Sequence, residues 1–118
     1  MKLEHILFEV TVEGRVSTRS SGRHYAIWRD QLEYQLQLIP LNLTRHKMFA
    51  LRIQVWIENK RFWSKGRLDW DNIVKPTQDS MQRVGLISND SVICDAHVTK
   101  YHTDYGERMI LTVQEWQP

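Results

Sequence analysis

The chain has 118 residues, 42% of them apolar, which suits a single domain with one modest core and excludes a disordered tail. Lys and Arg number 16 against 14 Asp and Glu, and a formal charge of +2 is too slight to prove a nucleic-acid partner, so the placement of charge must decide. The lone cysteine, Cys94, excludes an intrachain disulfide and a thiolate zinc cluster.

Cys94 reads as a small hydrophobe facing a core, and single-cysteine usage fits a reducing cytoplasm. The opening MKLEHILFEV lacks the long apolar run and small-residue cleavage site of a signal peptide. No stretch approaches the roughly 20 apolar residues of a membrane span. The expectation is a soluble cytoplasmic protein.

Leu3 to Val12 has β-branched, strand-like character, and Glu13 to Arg23 is a polar loop with two glycines, three serines and three arginines. His24 to Leu38 reads as a helix, because Tyr25, Trp28, Leu32, Leu36 and Ile39 recur at three- and four-residue steps before Pro40. Ile27, Tyr34 and Leu38 widen its apolar stripe into something that is either core or a dimer surface. In Met48 to Ile57 the residues Phe49, Leu51, Ile53, Val55 and Ile57 share one face, with Arg52 and Gln54 on the other. Lys60 to Arg67 is basic and interleaved with Phe62 and Trp63.

Asp69-Trp70-Asp71 comes next, then a helix from about Asn72 to Val84, in whose first turn Pro76 would belong. A turn at Ser88-Asn89-Asp90 precedes strands over Val92 to Lys100 and Arg108 to Trp116, joined as a hairpin around Tyr105-Gly106. The order β-α-β-α-β-β predicts an α/β (α+β) domain spanning residues 1–118, with a mixed sheet of about four to five strands and two packed helices.

Asp69 and Asp71, one residue apart, leave the same face of the chain if the segment is extended. Two carboxylates held so close repel, and a divalent cation relieves the conflict; hard oxygen ligands select Mg2+, with Mn2+ as substitute. Simpler roles stand beside this one. Asp71 is placed to cap a helix, Lys75 and Asp79 to form an exposed i, i+4 ladder, and Asp90 to sit in a turn. The histidines at 5, 24, 46, 97 and 102 lack metal-ligand spacing and read as surface or strand residues.

The run Arg67-Leu68-Asp69-Trp70-Asp71-Asn72-Ile73-Val74-Lys75-Pro76 resembles the Asp-Leu-Asp-Asn-x-x-Lys signature of the RusA family of Holliday-junction resolvases. That family carries an Asp-Asp pair before the following strand, where this chain has Asn89-Asp90. The resemblance implies that Asp69, Asp71 and Asp90 are metal-binding, catalytic carboxylates and that Lys75 is an active-site lysine. This chain departs at Asn89, at Leu68, where the family often has a basic residue, and in lacking the family's N-terminal Pro-Pro-x-x-Asn run.

The function so implied is a Mg2+-dependent endonuclease that resolves four-way DNA junctions by paired nicks, in recombination and repair. Arg15, Arg19, Arg23, Lys60, Arg61, Lys65 and Arg67 are the candidate phosphate contacts, and Phe62 or Trp63 could stack on an unpaired base or simply pack under a loop. Paired cuts on two-fold-related strands require a homodimer, and the helix stripe of Trp28, Leu32 and Leu36 and the sheet edges are the surfaces offered for it. Two alternatives are a non-catalytic branched-DNA-binding protein of the same fold, suggested by Asn89 and Leu68, and a calcium-stabilised interaction module.

Overall fold

The computed structural model describes residues 6–17, 22–40, 48–62 and 70–116, with only the backbone of 70 and 71. Strand β1 (Ile6–Glu13) leads to helix α1 (Arg23–Gln37), strand β2 (Phe49–Glu58) and a single-turn helix α2 (Asn59–Phe62). Helix α3 (Trp70–Arg83), a 3-10 turn (Asp90–Val92), β3 (Ile93–Thr103) and β4 (Arg108–Glu115) follow. The four strands form one mixed sheet in the order β1-β4-β2-β3.

Alternation dictates which face is covered. Phe8, Val10 and Val12 of β1, the odd-numbered residues from Phe49 to Ile57 in β2, and Met109, Leu111 and Val113 of β4 are buried together. Helix α1 closes this face with Trp28, Leu32 and Leu36, each 1% exposed or less, and α3 adds Ile73, Val74 and Met81. Trp28, Leu32 and Leu36 are therefore core and cannot be the dimer surface that the stripe suggested. The exposed large apolar residues here are Ile27 and Tyr34 of α1 and Leu38 just after its end. Ile53, fully buried in central β2, is the most direct probe: Ile53→Ala should lower stability by about 2–5 kcal/mol, read as a shift of the urea midpoint at unchanged slope.

The expected hairpin of the last two strands does not form. β2 lies between them, parallel to β3 and antiparallel to β4, and β4 also pairs antiparallel with β1. Burial gives the reason. Thr112 and Gln114 on the second face of β4 are only 5% and 4% exposed, as suits a strand flanked on both sides. Crossing β2 requires about 10 Å, twice the interstrand spacing, which the turn after Thr103 easily spans. Gly106, at φ 84°, takes the left-handed conformation that this turn needs.

Cys94 also departs from expectation. The β2–β3 register passes from Phe49↔Ile93 to Ala50↔Asp95, so a bulge skips Cys94 and leaves it exposed rather than in the core. Among the described residues, no helix is long and apolar enough to cross a membrane.

Candidate active site

Helix α3 carries most of the motif. Ile73, Val74, Thr77, Ser80 and Met81 bury one face, while Asn72 and Lys75 stay exposed on the other. The helix starts at Trp70, so Trp70 and Asp71 are helical rather than extended, and Asp71 lies inside the first turn rather than capping it. Pro76 is in the interior and not at the start. Its missing amide proton deprives the Asn72 carbonyl of its helical donor, but Asn72 is exposed to water, and the Thr77 hydroxyl donates to the Ile73 carbonyl at 2.8 Å. Burial of the apolar face outweighs what the proline costs.

Polar contacts fix the helix against α1. The Glu33 carboxylate accepts from the Ser80 hydroxyl at 2.9 Å and from Arg83 Nε at 2.9 Å. Hydrogen bonding to Glu33, ahead of the attraction of its charge, raises the Arg83 pKa against the opposing effect of burial.

The chain then turns back sharply. The Leu86 amide donates to the Met81 carbonyl at 3.0 Å and the Gly85 amide to Gln82 at 3.0 Å, with Gly85 at φ 82°. This left-handed glycine closure ends the helix, and buried Leu86 and Ile87 draw the returning chain against the core. Asn89 then accepts from the Ser91 amide at 2.9 Å, capping the 3-10 turn that begins at Asp90. An Asn here does what an Asp would do for the backbone, which gives the Asn89 departure a structural role independent of any metal.

The two halves of the motif meet at Lys75. Its Nζ lies 3.2 Å from Asp79 Oδ1 and 3.7 Å from Asp90 Oδ2. The first contact is the anticipated helical ladder, and the second joins residues that are fifteen apart in sequence. Hydrogen bonding to Asp79, then the charges of Asp79 and Asp90, raise the Lys75 pKa. The ammonium therefore persists through neutral pH, and its pairing is lost only as pH rises through that elevated value. Lys75 thus bridges two partly exposed carboxylates, one from each part of the motif. Among the described residues no three His, Cys, Asp or Glu are grouped to hold a metal ion. Asp69 lies outside the described residues, and of Asp71 only the helical backbone is described, one turn before Lys75.

The other sequence candidates divide. Arg15, Arg23 and Lys60 are exposed, whereas Arg19, Trp63, Lys65 and Arg67 lie outside the described residues. Arg61 is not a free phosphate contact, because it pairs with buried Glu107, a residue the sequence reading missed. Phe62 packs edge-on against His102, with ring centroids 5.6 Å apart. His97 meets Asp95 at 3.3 Å and His102 meets Asn59 at 2.7 Å, as surface and strand residues do.

A family model described as endodeoxyribonuclease RusA matches residues 10–114, nearly the whole chain. No individual curated protein matches it.

Proposed function

The chain belongs to the endodeoxyribonuclease RusA family, and from that premise we propose that it is a Mg2+-dependent endonuclease that resolves four-way DNA junctions by paired symmetric nicks. The observation that carries the reading is the approach of Lys75 to Asp90, which unites the α3 motif with the turn before β3. Membership of the family supports DNA as the substrate and phosphodiester hydrolysis as the chemistry.

Asp69, Asp71 and Asp90 would hold one or two Mg2+ ions, with Mn2+ as a substitute. A bound divalent ion there lowers the pKa of water, polarises phosphoryl oxygens and steadies the leaving oxygen. Lys75 offers a permanent charge to a non-bridging phosphate oxygen, and with its side chain 66% exposed it is free to reach a phosphate outside the protein. Asp79 holds the ammonium in place until the phosphate arrives. Exposed Arg15, Arg23 and Lys60 supply sequence-independent attraction to the DNA backbone.

One carboxylate cluster cuts one strand, so paired nicks call for a two-fold dimer. With Trp28, Leu32 and Leu36 taken up by the core, the surfaces that remain are exposed Ile27, Tyr34 and Leu38 and the edge strands β1 and β3. Light scattering of the chain alone and on a junction should give a dimer. A monomer in both would favour single nicks at flaps or branches.

The deciding experiment incubates the chain with a labelled four-way junction in Mg2+, Ca2+ or chelator. Symmetric nicks in Mg2+ are expected, with binding but no cutting in Ca2+. Binding in all three without cutting would establish the non-catalytic alternative, whose support from Asn89 is reduced by that residue's capping role.

A further inference from the structure

Glu107 is 5% exposed, and both oxygens of its carboxylate accept hydrogen bonds. Its Oε1 accepts from the Val16 amide at 3.1 Å and from the Arg61 guanidinium, and its Oε2 accepts from the Glu58 amide at 3.0 Å. Arg61 also donates to the Val16 carbonyl at 3.0 Å, and the Gly14 amide donates to the Glu107 carbonyl at 2.9 Å. Four parts of the chain therefore meet on one ion pair: the segment after β1, the end of β2, helix α2 and the turn before β4. Val16 is wholly buried there, while its neighbour Arg15 is exposed and close enough to oppose the charge of Arg61.

We infer that the Glu107–Arg61 pair is a positioning device for DNA binding, docking the segment that carries Arg15 beside the exposed Lys60 of α2 so that both present charge to one phosphate backbone. This rests on the functional reading above and adds to it residues that touch no DNA. Arg61 is neutralised by Glu107 and contributes shape rather than attraction. Val16 is the tether, because its side chain, amide and carbonyl are all engaged.

Charge and position predict opposite signs, which makes the inference testable. Glu107→Gln removes a negative charge near the DNA surface. If Glu107 acts only as a charge, junction binding should tighten. If it positions the Arg15 segment, binding should weaken by about fivefold or more, and the slope of log Kd against log salt should fall by about one. Binding is measured on the full chain with chelator present, so nothing is cut, at a temperature well below the melting point of each variant. Arg15→Ala should cost about the same factor in the wild-type background and almost nothing beside Glu107→Gln, a non-additivity that loss of stability alone would not produce. Arg61→Lys, which keeps the charge but loses the second arm to Val16, serves if Glu107→Gln does not fold, and should weaken binding in the same direction. Unchanged or tighter binding by whichever variant folds, or full additivity with Arg15→Ala, overturns the positioning role. Failure of the wild-type chain to bind the junction overturns the functional reading itself.

Discussion

Asp90→Asn is expected to reduce cleavage of a four-way junction by at least about a thousandfold, with junction binding in chelator nearly unchanged. Asparagine keeps the size of the side chain and one oxygen, so the 3-10 turn capped by Asn89 should persist. What disappears is one of the negative charges proposed to hold a divalent ion, together with the long contact to Lys75. Asp69→Asn and Asp71→Asn should fall as far, because each removes an equivalent proposed ligand. Melting curves beside single-turnover cleavage separate loss of chemistry from loss of fold. Any of the three variants cutting near the wild-type rate removes that residue from the metal-binding set.

Lys75→Ala should lower the single-turnover rate on saturated junction by about a hundredfold and weaken binding only about threefold. An interaction made chiefly with the charge that develops during hydrolysis appears in turnover rather than in affinity. The elevated Lys75 pKa adds a constraint: its charge is constant across neutral pH, so it contributes no limb to the pH–rate profile there. Lost affinity at a preserved rate would reduce Lys75 to a docking residue.

The fold was legible wherever burial imposes a period. β2 and α1 stand within a residue of expectation, because Phe49 to Ile57 alternates and Trp28, Leu32 and Leu36 recur at helical steps against the same core. Pairing was not legible. Two strands joined by a glycine turn read as a hairpin, and nothing local to residues 93–115 records that β2 separates them. Start signals also misled. Pro76 argued for a place in the first turn, but burial around Ile73 and Val74 carries the helix back to Trp70 and leaves the proline inside it.

At the site, i, i+4 spacing pointed to Lys75 and Asp79 and the family resemblance pointed to Asp90, and the fold does bring the three together. The role of Asn89 was hidden, because a cap is defined by backbone geometry rather than by residue type. Glu107 was hidden more completely, since its partners Val16, Glu58 and Arg61 are 91, 49 and 46 residues away.

The central place of β4 has a consequence during synthesis. β1 leaves the ribosome before the other three strands, yet among the described residues its only strand partner is the last strand of the sheet, with Ile6 opposite Gln114. β2 and β3 can pair earlier through the crossover that α3 provides, but β1 must wait with Phe8, Val10 and Val12 uncovered by a sheet neighbour. Closing so long a loop makes this a slow-folding topology for its size. Until β4 inserts, both β1 and the inner edge of β2 present unpaired backbone to other nascent chains.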